Sequence, residues 1–381
     1  MTQDSAAQAT LGPRRIGIDA RKLGDFGVGA ALWNLIVHLR RLDPDSRYIL
    51  LHQTPPPADA PPGLEWVWDG APKYSLREQA SLPWHAWRQR LDLLHCPHYV
   101  VPLARVCPLV VTIHDIIHVA LGHLWPRPAR EYARFMIRRA VVGARRVITD
   151  TEGSRRDLIE RVGADPAKLV VIPIAAGGQY RRIADPARLA DLRRRYGIDR
   201  PYLLSVGNAR MAHKNLVTLF RAFRLARERG LDLALVVTGG LPPDALRRDW
   251  AAAAGDALAH VRFAGYVPGA DLPALYSAAE AFVWPSLYEG FGLPPLEAMA
   301  CGTPVISSRA SVMPEVLGDA PLYVEPLAAE DYAEAIGRVL TDPALRADLA
   351  RRGLARAARY SWEDSARRTL AVYREVLEEG H

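Results

Sequence analysis

Short apolar runs alternate with longer amphipathic stretches along almost the whole chain, and this alternation constrains the fold more than any other feature. Six such runs fall before residue 175 and six after residue 200. They are residues 15–20, 47–52, 91–96, 108–113, 146–150 and 169–173, followed by 202–207, 233–239, 261–265, 281–286, 304–308 and 322–325. Runs that are apolar throughout are typical of parallel strands buried on both faces. The pattern therefore predicts a doubly wound α/β architecture.

A polar segment separates the two groups of predicted strands. Residues 178–200 contain no strand-like run, and two sets of six strands are many for one open sheet. We therefore predict two Rossmann-like domains that face a central cleft at the carboxyl ends of their strands, where ligands of such sheets usually bind. The predicted parts are residues 1–180 as the N-terminal domain, 181–200 as a linker, 201–360 as the C-terminal domain, and a helix within 361–381 that completes the N-terminal domain.

The composition is that of an ordinary globular protein. Of the 381 residues, 49% are hydrophobic and 24% are charged. The three cysteines, Cys96, Cys107 and Cys301, form no CxxC pair, which favours a reduced compartment. The sequence has no apolar run long enough to span a bilayer and no apolar leader core near its N-terminus. We therefore predict a cytoplasmic location, with peripheral association at the inner face of the membrane as an open alternative.

The strongest chemical signal is SLYEGFGLPPLEAMACG at residues 286–302, directly after a predicted strand. Pro294 and Pro295 suit the first turn of a helix, and Gly302 suits the position after its end. Backbone amides at such a helix N-terminus can bind a phosphate or sugar hydroxyls. The amides in question belong to Gly290, Phe291, Gly292 and Leu293.

Two glutamates flank this loop. Glu289 precedes it, and Glu297 is expected in the first turn of the helix. A carboxylate can accept two hydrogen bonds from vicinal hydroxyls of a ribose or a hexose. The alternative is a capping box beside a tight strand-to-helix turn.

The segment EGFGLPPLEAMACGTPVISS resembles the E-x7-E signature of the retaining glycosyltransferases of family 4, which adopt the GT-B fold. The resemblance covers about residues 14–375. It implies a nucleotide-diphosphate sugar as co-substrate, held by the C-terminal domain, and an acceptor presented by the N-terminal domain. It also implies that Glu289 binds the transferred sugar, that Glu297 holds the ribose, and that neither a metal nor another cofactor is required.

Two cations stand where a second predicted strand ends. In SVGNARMAHKNLVTLF, residues 205–220, the strand ends at Gly207 and a helix begins near Asn215. Arg210 and Lys214 would then face the donor diphosphate, whose negative charge grows as it leaves. The alternative is a pair of solvated loop cations. The family often has Gly-Arg where this chain has Gly207–Asn208.

Further candidate residues follow other predicted strands. Gly27 and Gly29, in the first strand-to-helix turn, would allow a phosphate close to the backbone. The resemblance implies that His114 contacts the transferred sugar, and the alternative is a hydrogen-bonded histidine in the loop. It also implies that Val267 holds the nucleobase through its backbone.

Two groups of residues resemble metal-binding motifs, but neither gives good evidence for a metal site. Asp43-Pro44-Asp45 spells DxD but sits just after a predicted helix and is expected to be a turn. His95, Cys96, His98 and His114 include no second spaced pair that would complete a zinc site. We therefore predict no metal site.

The N-terminal half is basic. The net charge is +7, and residues 1–180 account for +6 of it, with 23 Lys and Arg against 17 Asp and Glu. Residues 127–146 hold seven arginines, and apolar side chains recur among them at roughly helical spacing. These apolar residues, Tyr132, Phe135, Met136 and Val142, either belong to the core or lie on an anionic membrane that carries a lipid-linked acceptor. We expect no nucleic-acid partner.

The sequence thus predicts a retaining, metal-independent hexosyltransferase. Resemblance to bacterial mannosyltransferases of O-antigen and polysaccharide assembly favours GDP-mannose as donor and a saccharide or lipid-linked saccharide as acceptor. UDP-glucose and UDP-N-acetylglucosamine stay open as donors. The rival functions are a nucleotide-sugar epimerase of the same fold, an inactive nucleotide-sugar-binding partner and a dinucleotide oxidoreductase, which the incomplete glycine motif disfavours.

Overall fold

The computed structural model describes residues 13–208, 210–240 and 244–379. These residues form two compact units, each built on one parallel sheet. The first unit comprises the described residues up to Ala120, Trp125–Ile174 and the described residues from Trp362 onward. The second comprises Leu121–Leu124 and Ala175–Ser361. The predicted fold class, two doubly wound Rossmann-like sheets, is confirmed.

Strands and helices alternate in both units. The strands are β1 Arg15–Asp19, β2 Arg47–His52, β3 Leu64–Trp68, β4 Leu93–Cys96, β5 Leu109–Thr112, β6 Arg146–Thr149, β7 Leu169–Val171, β8 Tyr202–Ser205, β9 Ala234–Thr238, β10 Val261–Gly265, β11 Ala281–Trp284, β12 Val305–Ser308 and β13 Leu322–Val324. The helices are α1 Phe26–Leu42, α2 Leu76–Arg88, α3 Ile117–Ala120, α4 Arg127–Gly143, α5 Glu152–Asp157, α6 Pro186–Arg195, α7 Leu216–Glu228, α8 Asp244–Ala254, α9 Leu272–Ser277, α10 Leu293–Ala300, α11 Met313–Leu317, α12 Ala329–Thr341, α13 Pro343–Ala357 and α14 Trp362–Glu378.

The sheet of the first unit has the order β3-β2-β1-β4-β5-β6-β7. Alternate residues of its strands enter cores on opposite faces: Ile16 and Ile18 of β1 lie in one core, and Val111 of β5 lies in the other. This burial on both faces explains the continuous apolar runs. Helix α14 closes one face, where Tyr373 and Val376 pack in the same core as β1.

Strand β3 was not predicted from the sequence. It lies at the edge of the sheet, paired only with β2 among the described strands. Its first four residues are half-buried and include Glu65, which forms an ion pair with Arg47 of β2. An edge strand needs no continuous apolar run, so the signal used for the other strands is missing here.

The sheet of the second unit has the order β10-β9-β8-β11-β12-β13. Strands β8 and β11 are parallel neighbours from which the strand order runs outward in opposite directions, as it does from β1 and β4 in the first unit. At such a switch point the loops after the two strands diverge and leave a crevice.

The segment 181–200, which the sequence analysis assigns to a linker, lies within the second unit and contains α6. Asp185 caps this helix by accepting hydrogen bonds from the amides of Ala187 and Arg188. Arg195, at its end, forms an ion pair with Asp271 just before α9. The lack of a strand-like run predicts a connector, but residues 186–195 of this segment form a capped helix. Within the described residues, no helix is long and apolar enough to cross a membrane.

Candidate functional site

The loops that follow β8 and β11 meet at the switch point of the second unit. Lys214 ends the first loop and Glu289 lies in the second. The Lys214 Nζ donates a hydrogen bond to Oε1 of Glu289 at 2.7 Å, and the two side chains are only 16% and 13% exposed. The same ammonium lies 4.4 Å from the ring centre of Trp284, the last residue of β11. The structure therefore brings together two of the residues proposed from the sequence, in a cation–carboxylate pair above an aromatic ring.

Asn215, which the sequence analysis did not propose as functional, fixes this loop. It adopts a left-handed backbone, φ 54°, which asparagine tolerates better than most residues. Its side-chain amide donates hydrogen bonds to the carbonyl oxygens of Pro285 and Pro326, at 3.1 and 2.6 Å. Pro285 follows β11 directly and Pro326 follows β13 closely. Asn215 thus ties the loop after β8 to the ends of two other strands.

The start of α10 has the predicted form. Pro294 and Pro295 lie in its first turn, and Gly292 precedes it with φ 99°, a conformation that favours glycine. A Cβ atom on Gly292 would also lie 2.6 Å from Cε of Met313. The first amides of a helix have no acceptor within the helix, but Pro294 and Pro295 carry no N–H, so Leu293 is the donor among the first three residues of α10. The helix carries no acidic side chain in its first turn.

Glu297 is not in the first turn, contrary to the sequence prediction. Because Gly292 ends the loop and α10 begins at Leu293, Glu297 falls in the second turn. It is 9% exposed, and the Tyr276 hydroxyl donates a hydrogen bond to its Oε2 at 3.0 Å. Burial raises the pKa of Glu297 to about 7, although hydrogen bonds from Tyr276 and Tyr180 oppose this shift.

Gly207 and Lys214 line one pocket at the switch point. Gly207 has φ 152°, and a Cβ atom there would lie 3.5 Å from the Trp284 ring. Its amide donates a hydrogen bond to the hydroxyl of Thr238 at the end of β9. The other lining residues include Ser205, Val206, Asn208, Leu216 and Val237.

Arg210 and Val267 lie around the loops of the neighbouring strands. Arg210 is exposed, and its guanidinium lies beside Gly240, which follows β9 by two residues. A Cβ atom added to Gly240 would lie 3.5 Å from the Nε of Arg210. Val267 follows β10 by two residues, and its side chain is buried. The amide of Gly239 donates a hydrogen bond to the carbonyl oxygen of Gly265, which joins the loops after β9 and β10.

In the first unit, His114 follows β5 and pairs with a residue that the sequence analysis did not propose. Its Nδ1 lies 2.7 Å from Oδ2 of Asp150, which follows β6. Burial alone would lower the pKa of His114, but the Asp150 carboxylate raises it above its ordinary value. Both residues line a pocket that Thr112 and Trp362 also border. The other oxygen of Asp150, Oδ1, is buried without a hydrogen-bond partner among the described residues.

Gly27 and Gly29 lie in the first turn of α1 rather than in the preceding loop. The helix begins at Phe26, so the loop after β1 ends before either glycine. A Cβ atom on Gly29 would overlap the carbonyl oxygen of Leu23, whereas one on Gly27 would meet nothing within 4 Å. Gly29 is therefore needed for packing, and only Gly27 leaves open space beside the helix.

The residues rejected as metal ligands have structural partners. Asp43 is buried after α1 and accepts a hydrogen bond from the Tyr48 hydroxyl. The two ring nitrogens of His95 contact the hydroxyls of Tyr373 and Thr112, at 2.6 and 2.8 Å. In the described part of the chain, no three His, Cys, Asp or Glu side chains form a group that could hold a metal ion.

The basic segment 127–146 is largely the helix α4, and its apolar residues divide between two faces. Met136 is buried in the core, together with Ile137 and other residues of α4. Phe135 and Val142 are 51% and 68% exposed. The apolar residues of this segment therefore do not form one continuous face, because Met136 lies on the buried side of α4 and Phe135 and Val142 lie on the exposed side.

Comparisons with known proteins identify the family of this chain. Residues 190–356 match the family model of glycosyl transferases group 1, and residues 27–175 match that of Glycosyltransferase Family 4. The O-antigen chain mannosyltransferase B of Escherichia coli is 32% identical over 313 residues, which are 79% of either chain. A D-inositol 3-phosphate glycosyltransferase of Acidothermus cellulolyticus is 35% identical over 287 residues, 71% of this chain and 63% of the relative. Among solved structures, Anabaena HepE in complex with UDP and glucose has a TM-score of 0.72 at 18% identity, covering 95% of this chain and 99% of that one.

Two doubly wound parallel-sheet units, together with the two family matches, make this chain a glycosyltransferase of the GT-B fold. The chain belongs to glycosyltransferase family 4 and is a hexosyltransferase.

Proposed function

We propose that this enzyme transfers mannose from GDP-mannose, with retention of anomeric configuration, to a saccharide or lipid-linked saccharide acceptor. The observation that carries the proposal is the Lys214–Glu289 pair at the switch point of the second unit. The name of the E. coli relative supports mannose as the transferred sugar. UDP-glucose and UDP-N-acetylglucosamine are the alternative donors, and the HepE complex with UDP and glucose favours testing them.

In this proposal the second unit holds the donor diphosphate. Lys214 would donate hydrogen bonds to its oxygens, and the backbone amides of residues 291–293, just before and at the start of α10, would add further donors. Arg210, exposed on the loop after β8, would reach the outer phosphate oxygens. As the bond between the sugar and the diphosphate breaks, negative charge builds on the leaving oxygen, and fixed cations stabilise it more than they stabilise the ground state.

Glu289 would bind the sugar itself. Its Oε1 accepts a hydrogen bond from Lys214, so the other oxygen can accept from a sugar hydroxyl. The carboxylate would also stabilise positive charge that develops at the anomeric carbon. Val267 would hold the nucleobase through its backbone, and the ribose would lie towards Glu297.

The reaction needs no nucleophile from the protein. The acceptor hydroxyl attacks the anomeric carbon from the face that the diphosphate leaves, and its proton passes to the departing phosphate oxygen. One carbon–oxygen bond forms as another breaks, so retention follows from the common face. The protein contributes positioning and charge, and we propose that it requires no metal. In the first unit, His114 would contact the transferred sugar, oriented by Asp150.

Initial rates with purified enzyme test this function. GDP-mannose, UDP-glucose and UDP-N-acetylglucosamine are compared as donors with a mannoside acceptor, and NMR of the product gives its anomeric configuration. We expect transfer from GDP-mannose, an α-linked product, and equal rates with and without EDTA. Conversion of the donor without any acceptor would indicate an epimerase, and loss of activity in EDTA would show that a metal takes part.

We also propose that α4 docks the first unit on anionic membranes. Exposed arginines on α4, Arg134, Arg138 and Arg139, surround the exposed Phe135 and Val142. Cations near an apolar side chain favour the surface of an anionic bilayer. Co-sedimentation with vesicles containing phosphatidylglycerol tests this. Binding that is as strong to neutral phosphatidylcholine vesicles would contradict it.

A further inference from the structure

Trp284, the last residue of β11, is a side chain at the switch point of the second unit whose residue type packing does not explain. Its ring lines the same pocket as Gly207 and Lys214 and is 2% exposed. The indole Nε1 is buried and has no hydrogen-bond partner among the described residues. Because a buried N–H without an acceptor costs free energy, a phenylalanine or a leucine would fill this position without that penalty.

The neighbouring residue on the same face of β11 is a phenylalanine. Phe282, two positions earlier, is fully buried, and its ring stacks on that of Trp284 with ring centres 5.6 Å apart. This face of the strand therefore accommodates phenylalanine. What tryptophan adds is a larger ring whose face attracts a cation more strongly than the face of phenylalanine does.

The ring contacts both ends of the loop after β8. At the start of the loop, a Cβ atom on Gly207 would lie 3.5 Å from Cη2 of the ring. At its end, the Nζ of Lys214 lies 4.4 Å from the ring centre and 2.7 Å from Oε1 of Glu289. The contact with Glu289 uses one of the three N–H donors, whereas the ring attracts the charge of the ammonium as a whole, so donor capacity is left for an anionic oxygen.

Lysine is a rare cation in this chain. Of the 49 Lys and Arg residues, four are lysines: Lys22, Lys73, Lys168 and Lys214. A lysine ammonium is a compact charge on a flexible stem, whereas the guanidinium of an arginine is planar and preorganised. A lysine at a binding site therefore needs neighbours that hold it in place, and the ring of Trp284 and the carboxylate of Glu289 are two such neighbours.

We propose that Trp284 is a positioning residue for Lys214: its ring holds the ammonium at the switch point and leaves N–H donors for an anionic oxygen. Without the ring, the flexible lysine would be held by Glu289 alone, and an incoming anion would have to order the side chain at a cost in conformational entropy. That the anion is the donor diphosphate rests on the proposed function, whereas the positioning of Lys214 does not.

NMR of the lysines tests the positioning without any ligand. With carbon-13-labelled lysine, the full chain gives signals from four lysine side chains, and the signal that is lost in Lys214→Met belongs to Lys214. We expect the ring current of Trp284 to shift the ε-protons of Lys214 upfield, and Trp284→Leu to abolish this shift while the signal of Lys168 stays in place. An unshifted Lys214 signal, or the same shift in Trp284→Leu, would overturn the proposal.

Fluorinated tryptophans at residue 284 test the effect on anion binding and keep the size of the ring, so these proteins should fold even if Trp284→Leu does not. Fluorine withdraws electrons from the ring face and weakens its attraction for a cation. Because Cζ3 and Cη2 face Gly207, fluorine is placed on the other two carbons of the six-membered ring that carry hydrogen, first on one and then on both. Isothermal titration measures affinity for GDP and UDP, which carry the same diphosphate. We expect a stepwise fall of about threefold or more with two fluorines, and equal affinity across the series would overturn the proposal.

A second background shows whether the ring acts through the lysine. In Lys214→Met the same fluorines should leave nucleotide affinity unchanged, because the cation that the ring holds is gone. An equal fall in both backgrounds would show that Trp284 only packs, and would overturn the proposal. Trp250, a buried tryptophan of the same unit that stacks on Phe263, is the control position, and fluorination there should change neither affinity nor the Lys214 signal. If the unmodified enzyme binds neither nucleotide, the proposed function fails, and the NMR signal of Lys214 still decides its positioning.

Discussion

Replacing Lys214 with methionine removes one charge from a largely buried pair and keeps most of the aliphatic stem. The Nζ that is lost lies 2.7 Å from Oε1 of Glu289 and 4.4 Å from the Trp284 ring centre. The methionine can still contact the ring, but Glu289 loses its donor. Hydrogen bonds to charged groups contribute about 1.5–3 kcal/mol, and the residual exposure of both side chains reduces this value. We expect the free energy of unfolding to fall by about 1–2 kcal/mol.

The effect on catalysis should be larger than the effect on stability. If Lys214 stabilises charge on the departing diphosphate, its loss should lower kcat by about 10²–10³-fold, as removal of one preorganised donor does elsewhere. The double variant Lys214→Met/Glu289→Gln carries no unpaired charge. Its stability should therefore return towards that of the wild type while its kcat stays low.

Initial rates at saturating donor and urea unfolding, measured on the same preparations, give both quantities. The control is Lys168→Met in the first unit, where the lysine Nζ donates to the carbonyl oxygen of Val142; its kcat should match the wild type, and its stability should change by less than that of Lys214→Met. A fall in kcat of less than about tenfold in Lys214→Met, equivalent to about 1.4 kcal/mol, would refute the catalytic role. The pair would then be a structural feature of the loop only.

Three further changes test other parts of the structure. Burial raises the pKa of Glu297 to about 7, so the folded state binds the proton of this carboxyl group more tightly than the unfolded state does. The free energy of unfolding should therefore fall as the pH rises from about 4.5 to 7. Urea unfolding at pH 5 and pH 8 measures this fall, and Glu297→Gln should remove it. Gly29→Ala should cost about 1–3 kcal/mol because its Cβ overlaps the preceding turn, whereas Gly27→Ala should be neutral or stabilising; equal melting temperatures for both would contradict the packing explanation. Asp150→Asn should lower the pKa of His114 below its ordinary value, because burial then acts without the opposing carboxylate, and an unchanged NMR titration of the imidazole would contradict this.

The apolar runs predict the architecture because burial on both faces of a parallel sheet leaves a strong pattern in the sequence. The edge strand β3 leaves no such pattern, since Glu65 and its neighbours are only half-buried. The start of α10 is predictable for a related reason: Pro294 and Pro295 restrict the backbone locally, so their position alone marks the first turn.

Contacts between distant segments are not predictable in this way. The hydrogen bonds of Asn215 reach loops after β11 and β13, and Asp150 meets His114 only because β5 and β6 are neighbours. Glu297 lies in the second turn of α10 because the left-handed backbone of Gly292 ends the loop and the helix begins at the next residue. The spacing of eight residues between Glu289 and Glu297 does not show where the helix begins. Residue types indicate which chemistry is possible, but the fold determines which side chains contact each other.

Helix α14 has a consequence for how the chain folds during synthesis. The first unit needs this helix, because Tyr373 of α14 packs in the core with Ile16 and its hydroxyl contacts His95 of β4. Apart from Leu121–Leu124, the second unit comes from one continuous segment, Ala175–Ser361. On a ribosome, the second unit can therefore complete its core while the sheet made first still has one open apolar face. The part of the protein that is translated first is the last to close.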